Sequence, residues 1–113
     1  VEKDNIILSK SIAFSGKIIQ FTRKLKQIHE FDLARQLFKS GTSIGANINE
    51  AQSAESKTDF VHKLKIADKE SEETKYWLIL IKENFDFPEA ELLMEELMTI
   101  KRILGKIISS SKK

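Results

Sequence analysis

Cysteine is absent from this 113-residue sequence, which removes disulfides, thiolate metal sites and cysteine nucleophiles together. Proline occurs once and glycine four times, too few for a collagen-like, low-complexity or linker-rich chain. No apolar run approaches the roughly eighteen residues that a membrane-spanning helix needs, and Val1–Asn5 carries no signal-peptide pattern. The expected setting is therefore a reducing cytoplasm, with no membrane. Acidic residues are missing from Asn5 to His29, where five basic residues stand alone. Thr58 to Lys113 carries eleven acids against ten bases, so the net charge of +2 is unevenly spread.

What is present is helical periodicity. Hydrophobic residues make 41% and charged residues 32%, the mix of a single all-α domain spanning 1–113 and able to bury roughly two thirds of its unfolded surface. Four helices are predicted, at about 4–27, 32–54, 59–84 and 88–108. In the first, Ile7, Phe14, Ile18, Phe21, Leu25 and Ile28 recur at 4,3 spacing, interrupted at Ser11. A second apolar patch, Leu8, Ile12 and Ile19, lies about 120° around that helix and calls for another helix or another subunit. Asp32 is the expected N-cap of the second helix, and Ser56 with Asp59 has capping-box spacing before the third. The third helix has its seam at Phe60, Leu64, Ala67, Ser71, Thr74, Leu78, Ile81 and Phe85, small and hydroxylated in the middle. Pro88 starts the fourth helix, whose seam is Leu93, Leu97, Ile100, Leu104 and Ile107. There, Glu89 and its neighbours near the start and Lys101, Arg102 and Lys106 near the end complement the helix dipole. Ser109–Lys113 is expected to fray. Short connections favour an antiparallel up-down-up-down four-helix bundle.

Nine of the fifteen residues from Ser40 to Ala54 are Gly, Ala, Ser or Thr, yet the stretch holds no proline and no turn pair. At helical spacing Ala34, Leu37, Gly41, Ile44, Ile48 and Ala51 share one face, and Gln36, Ser40, Ser43, Asn47 and Glu50 share the next. Such a helix admits a second backbone at close range. Gly41, Ser43, Ile44, Asn47, Ile48 and Glu50, with Glu70 and Trp77 of the third helix, are thus the predicted helix-packing or subunit-contact positions. A large charged residue at Gly41 or Ile48 is expected to give smaller or misfolded species.

Lys3, Lys10, Lys17 and Lys24 recur every seven residues on the first helix, with Arg23 and Lys26 beside them. Displayed in several copies, Lys10, Lys17, Arg23 and Lys24 would make a phosphate-binding surface; in one copy an ordinary solvated face is the better reading. No aromatic interleaves them, so base stacking is not indicated. Glu50, Glu70 and Glu73 are carboxylates near the seams, and a structural hydrogen-bonding role fits them better than acid–base catalysis. A di-iron bundle needs Glu-x-x-His on two helices. Only Asp59-Phe60-Val61-His62 comes near that pattern, so no metal, cofactor or catalytic residue is expected. Gly41 and Gly45 interrupt a helix and form no phosphate loop.

The run Leu37-Phe38-Lys39-Ser40-Gly41-Thr42-Ser43-Ile44-Gly45-Ala46-Asn47-Ile48-Asn49-Glu50-Ala51 is one half of a signature. Its other half is Asp59-Phe60, Lys63-Leu64-x-Ile66-Ala67-x-Lys69-Glu70 and Glu73-Thr74-x-Tyr76-Trp77-Leu78. Together they resemble the bacterial four-helix bundle proteins encoded by intervening sequences in 23S ribosomal RNA genes, over nearly the whole chain from about Ile6 to Ile108. That resemblance implies bundles assembled as homopentameric rings around a central channel, with no catalytic activity. A cousin group, the accessory proteins of diversity-generating retroelements, binds a reverse transcriptase and nucleic acid through a strongly basic surface; this chain is only mildly basic. Two functions are expected from this. One is an oligomeric scaffold that binds nucleic acid, RNA above all. The other is a module that docks a protein such as a reverse transcriptase or other polymerase without touching nucleic acid.

Overall fold

The computed structural model describes residues 5–111 and holds four α-helices: α1 Ile6–Gln27, α2 Phe31–Ala51, α3 Lys57–Asn84 and α4 Pro88–Ser111. Lys3 and Asp4, placed above in the basic stripe and at the start of the first helix, lie outside the described residues, as do Lys112 and Lys113. Asn5 caps α1, its side-chain oxygen accepting from the Leu8 N–H at 3.3 Å. Ser56 caps α3 as its spacing predicts, its hydroxyl accepting from the Asp59 N–H at 3.0 Å. The Asp59 carboxylate turns back to the Glu55 N–H at 3.4 Å, one residue earlier than a capping box requires.

Several predicted ends move. Helix α2 begins at Phe31 with Glu30 as cap and no side-chain cap bond. Asp32 is not the cap; it lies in the first turn and pairs with Arg35 at 2.6 Å. The start is set instead by the end of α1, where His29 adopts φ 65°. With His29 so turned, the Glu30 N–H reaches the Leu25 carbonyl and the His29 N–H reaches that of Lys26, both at 2.9 Å. Those two bonds form a Schellman motif, and the reversed chain leaves no room for another cap. Glycine is the usual occupant of that left-handed position, so His29→Gly is expected to stabilise the fold by about 0.5 kcal/mol. Urea midpoints would register the gain; a loss would mean that the His29–Phe31 ring contact at 5.7 Å outweighs the backbone strain.

Helix α2 stops at Ala51, because the Ser53 and Ala54 N–H groups tighten onto Glu50 and Ala51 carbonyls three residues back. At the far end Ser109–Ser111 does not fray. The Ser110 hydroxyl donates to the Lys106 carbonyl at 2.7 Å, and α4 runs on through Ser111. Its last turn consequently holds no basic residue, and Lys101 is used for a different purpose, described below.

Each helix packs on its neighbours in order, and α4 returns to α1, so the four form a square in section, 45 × 24 × 20 Å overall. Cross-helix partners rise on one helix as they fall on the next, so neighbouring helices run antiparallel. Lys63 meets Glu50 where Thr74 meets Ser40, and Lys17 meets Glu96 where Lys24 meets Glu89. The core takes Phe14, Ile18, Leu25, Leu37, Ile44, Ile48, Leu64, Leu78 and Leu97, all essentially inaccessible to solvent. The second patch of α1 divides. Leu8 is buried inside the chain, while Ile12 stays 60% exposed.

The small side chains of α2 serve two seams. Toward α1, a Cβ at Gly45 would lie 3.3 Å from the Ser11 and Ser15 hydroxyls, and one at Gly41 would lie 2.9 Å from Ile18. Toward α3, the Ser40 and Thr74 hydroxyls hydrogen-bond at 2.9 Å in a buried contact, and Thr74 also donates to the Glu70 carbonyl at 2.8 Å. No buried side-chain polar atom among the described residues lacks a partner, which removes the desolvation cost of those hydroxyls. Gly-x-x-x-Gly spacing here means backbone proximity.

Candidate interaction surfaces

Polar groups on this bundle are distributed along its seams, and each seam has its own chemistry. At the α3–α4 seam Lys101 is the node. Its ammonium donates to Asp68 at 2.9 Å and Ser71 at 3.2 Å and is ion-paired with Glu72, with the side chain only 15% exposed. Burial works to lower the Lys101 pKa, but the hydrogen bonds to Glu72 and Asp68 outweigh it and hold it above the ordinary value. The bond from Lys101 holds the Glu72 carboxyl below the usual carboxylate range. Lys82 and Glu91, at 2.5 Å, close the other half of the same seam.

On the α2–α3 seam Lys63 donates to Glu50 at 2.9 Å, and that bond raises the lysine's pKa. Further along, Ser43 donates back to the Lys39 carbonyl and Asn47 donates to the Ser43 carbonyl. Trp77 is half-buried, and its indole N–H reaches Glu73 at 3.3 Å. Glu70 is half-buried too and, among the described residues, its carboxylate has no cation beside it.

The α1–α4 seam carries the basic stripe. Lys17 is bound to Glu96 at 2.5 Å and Lys24 is bound to Glu89, whose carboxyl that hydrogen bond holds below its ordinary value. Both rows step by seven residues, so the lysines and glutamates face each other as a ladder. The next rung breaks it. By the same register Lys10 stands opposite Ile103, and it has no anionic partner among the described residues. Arg23 is exposed and unpaired on the other flank of α1. Of the four cations predicted to meet phosphate, two are therefore engaged by carboxylates of their own chain. Periodicity put them on one face; what α4 would set against them was not readable from α1.

The predicted packing residues fall into two groups. Gly41, Ile44 and Ile48 are buried in the chain's own core, whereas Ser43, Asn47, Glu50, Glu70 and Trp77 lie on the outer α2–α3 flank with surface to spare. No cluster of three or more His, Asp or Glu among the described residues is arranged to hold a metal ion. Among the described residues, no helix is long and apolar enough to cross a membrane.

The ion pairs predict how stability varies with pH. Glu72 and Glu89 have depressed folded-state pKa values, so their contribution is complete above the unfolded value of about 4.3 and is lost as pH falls through the folded one. Lys63 and Lys101 have raised values, so their contribution is complete below about 10.4 and is lost as pH rises beyond it. Urea midpoints should be flat from about pH 5 to 9 and fall on both sides. A midpoint that climbs as pH drops from 5 to 3 would mean that these bridges are not formed.

Fold and surfaces together define an all-α bundle whose charged and hydroxylated groups tie neighbouring helices together along their seams. The chain belongs to the 23S rRNA-intervening sequence protein family, which matches residues 3–106. It is similar to a protein of unknown function from the S23 ribosomal protein family of Bacteroides thetaiotaomicron, solved by crystallography at 1.70 Å. The two share 40% identity and superpose with a TM-score of 0.86, covering 91% of this chain and 98% of that one. No curated protein matches the chain.

Proposed function

We propose that this chain is a non-enzymatic helical scaffold of the cytoplasm that acts as a homo-oligomeric ring, five copies by resemblance, and recruits a protein partner of the polymerase type. The observation that carries this reading is the ladder of Lys17–Glu96 and Lys24–Glu89, which commits two of the five cations of α1 to carboxylates of the chain's own α4. The outer α2–α3 flank, with Trp77 and the unpaired Glu70, has the mixed aromatic and charged character of a protein contact. Pull-down of the tagged protein from its native cells after nuclease treatment tests it. A partner that survives nuclease supports protein docking; one lost with nucleic acid overturns it.

RNA binding is the second reading. It is favoured by exposed, unpaired Lys10 and Arg23, and by the exposure of both ladder pairs, which are worth about 0–1 kcal/mol each and can be exchanged for phosphate. Repetition in a ring would multiply those cations. Binding would be steeply salt-dependent. Titration against structured RNA at low and moderate salt measures it, and no binding at low salt by the intact oligomer eliminates it.

A further inference from the structure

Carboxylates are scarce on the α3–α4 side of the bundle toward the end where α3 starts and α4 finishes. The sequence holds no acidic residue after Glu96, and between Lys57 and Lys69 it holds only Asp59 and Asp68. Both are occupied. Asp59 turns back to the Glu55 N–H, and Lys101 holds Asp68 together with Glu72. Left over are His62, Lys65 and Lys69 on α3 and Arg102 and Lys106 on α4. All five are exposed and, among the described residues, have no anionic partner. The lysine row of α1 differs, because Glu96 and Glu89 neutralise Lys17 and Lys24.

Register brings the five together. Lys101 meets Asp68 and Glu72, and Ser111 shares a hollow of about 440 Å³ with Lys57, Thr58, Val61, His62 and Lys65. Antiparallel continuation of those contacts sets Arg102 beside the turn of Lys69 and Lys106 beside the turn of Lys65. At about 100° per residue, His62, Lys65 and Lys69 fall within about 60° on α3, and Arg102 and Lys106 within about 40° on α4. Gly105 lies between Arg102 and Lys106, and a Cβ there would meet nothing within 4 Å, so the ground between the two rows is open. Cations one turn apart are separated by about 6 Å along each row, and the rows by roughly 8–10 Å. A nucleic-acid strand carries a charge about every 3.4 Å along its axis, so a strand laid along the seam meets both rows.

We infer that the outer α3–α4 face is a contact surface for the phosphate backbone of RNA, with Lys65, Lys69, Arg102 and Lys106 meeting phosphate and His62 beside them at the hollow. The inference rests on the RNA-binding reading and moves its principal contacts from α1 to α3 and α4. A protein partner calls for aromatic or apolar anchors at the centre of its contact, and the hollow offers only Val61. No Phe, Tyr or Trp lines that hollow, so the contact is to phosphate and is indifferent to base sequence.

Fluorescence anisotropy of a labelled oligouridine, titrated with the full chain at several salt concentrations, tests it. The double variant Lys65→Gln with Arg102→Gln changes two exposed positions and should keep the helical circular dichroism of the parent. At roughly 0.7 of a salt exponent per contact, it should bind about 25-fold more weakly in about 0.1 M salt and lower the salt slope by about 1.4. Lys69→Gln with Lys106→Gln repeats the test on the other two cations. Lys26→Gln with Lys39→Gln removes the same charge elsewhere and should shift binding less than about threefold. A parent that binds while both α3–α4 variants bind equally well overturns the inference and leaves the RNA-binding reading standing. So does a larger loss from Lys10→Gln with Arg23→Gln, which would place the contact on α1. Polyglutamate that displaces the oligouridine as readily as unlabelled RNA of equal charge would overturn it in favour of an acidic protein segment. A parent that does not bind at low salt overturns the inference and the RNA-binding reading together.

Discussion

Replacing Gly41 with leucine is expected to cost the bundle more than about 3 kcal/mol, a large share of the roughly 5–15 kcal/mol that holds such a domain folded. The clash begins with the first carbon. A Cβ on Gly41 would sit 2.9 to 3.1 Å from three side-chain carbons of Ile18. Ile18 is fully buried and β-branched, so the two nearest carbons, its γ carbons, are held at a stiff χ1 and cannot swing aside. Even Gly41→Ala should cost about 1–3 kcal/mol in overpacking, against which the better helix propensity of alanine returns only about 1. Ile18→Ala removes all three clashing carbons, so the two substitutions should couple favourably by on the order of 1 kcal/mol in a double-mutant cycle. Gly16 and Gly105 provide the control, because a Cβ at either meets nothing within 4 Å. Alanine there should stabilise by about 0.5–1 kcal/mol. Urea denaturation of the set reads all of this, and a Gly41→Ala variant as stable as its parent would refute close approach of α1 and α2.

Ile48→Asp should abolish folding and not merely release folded single copies. Ile48 has no exposed surface within one chain, and the carboxylate would be set among core side chains with no cation opposite. Losing the isoleucine costs about 2–5 kcal/mol, and burying an unpaired charge adds several more. Far-UV circular dichroism and gel filtration distinguish the outcomes. Lost helicity places Ile48 in the intrachain core; a helical monomer would place it between copies.

Four helices, most of their seams and the start at Pro88 were legible because a 3.6-residue apolar period needs no knowledge of the partner, though Ile28, counted in the α1 seam, is the C-cap beyond Gln27 and stays 45% exposed. The small face of α2 was legible as a site of close approach for the same reason. Which helix approached was not: Gly41 and Gly45 admit α1, while Ser40, one residue away, binds α3 through Thr74. The lysine row shows the limit most clearly. Its period of seven establishes a shared face, yet whether that face meets phosphate or Glu89 and Glu96 is decided 65 to 79 residues later. Helix ends were the least legible. His29 carries no glycine-like mark, so the motif that fixes the start of α2 was hidden behind Asp32, a better cap by type than by position.

Sedimentation equilibrium of the unaltered chain at micromolar concentration tests the central claim of a self-assembling scaffold most directly. The account predicts one mass, a fixed multiple of the 13.0 kDa chain and independent of loading concentration, as a closed ring requires. A mass of 13.0 kDa at every concentration would contradict it.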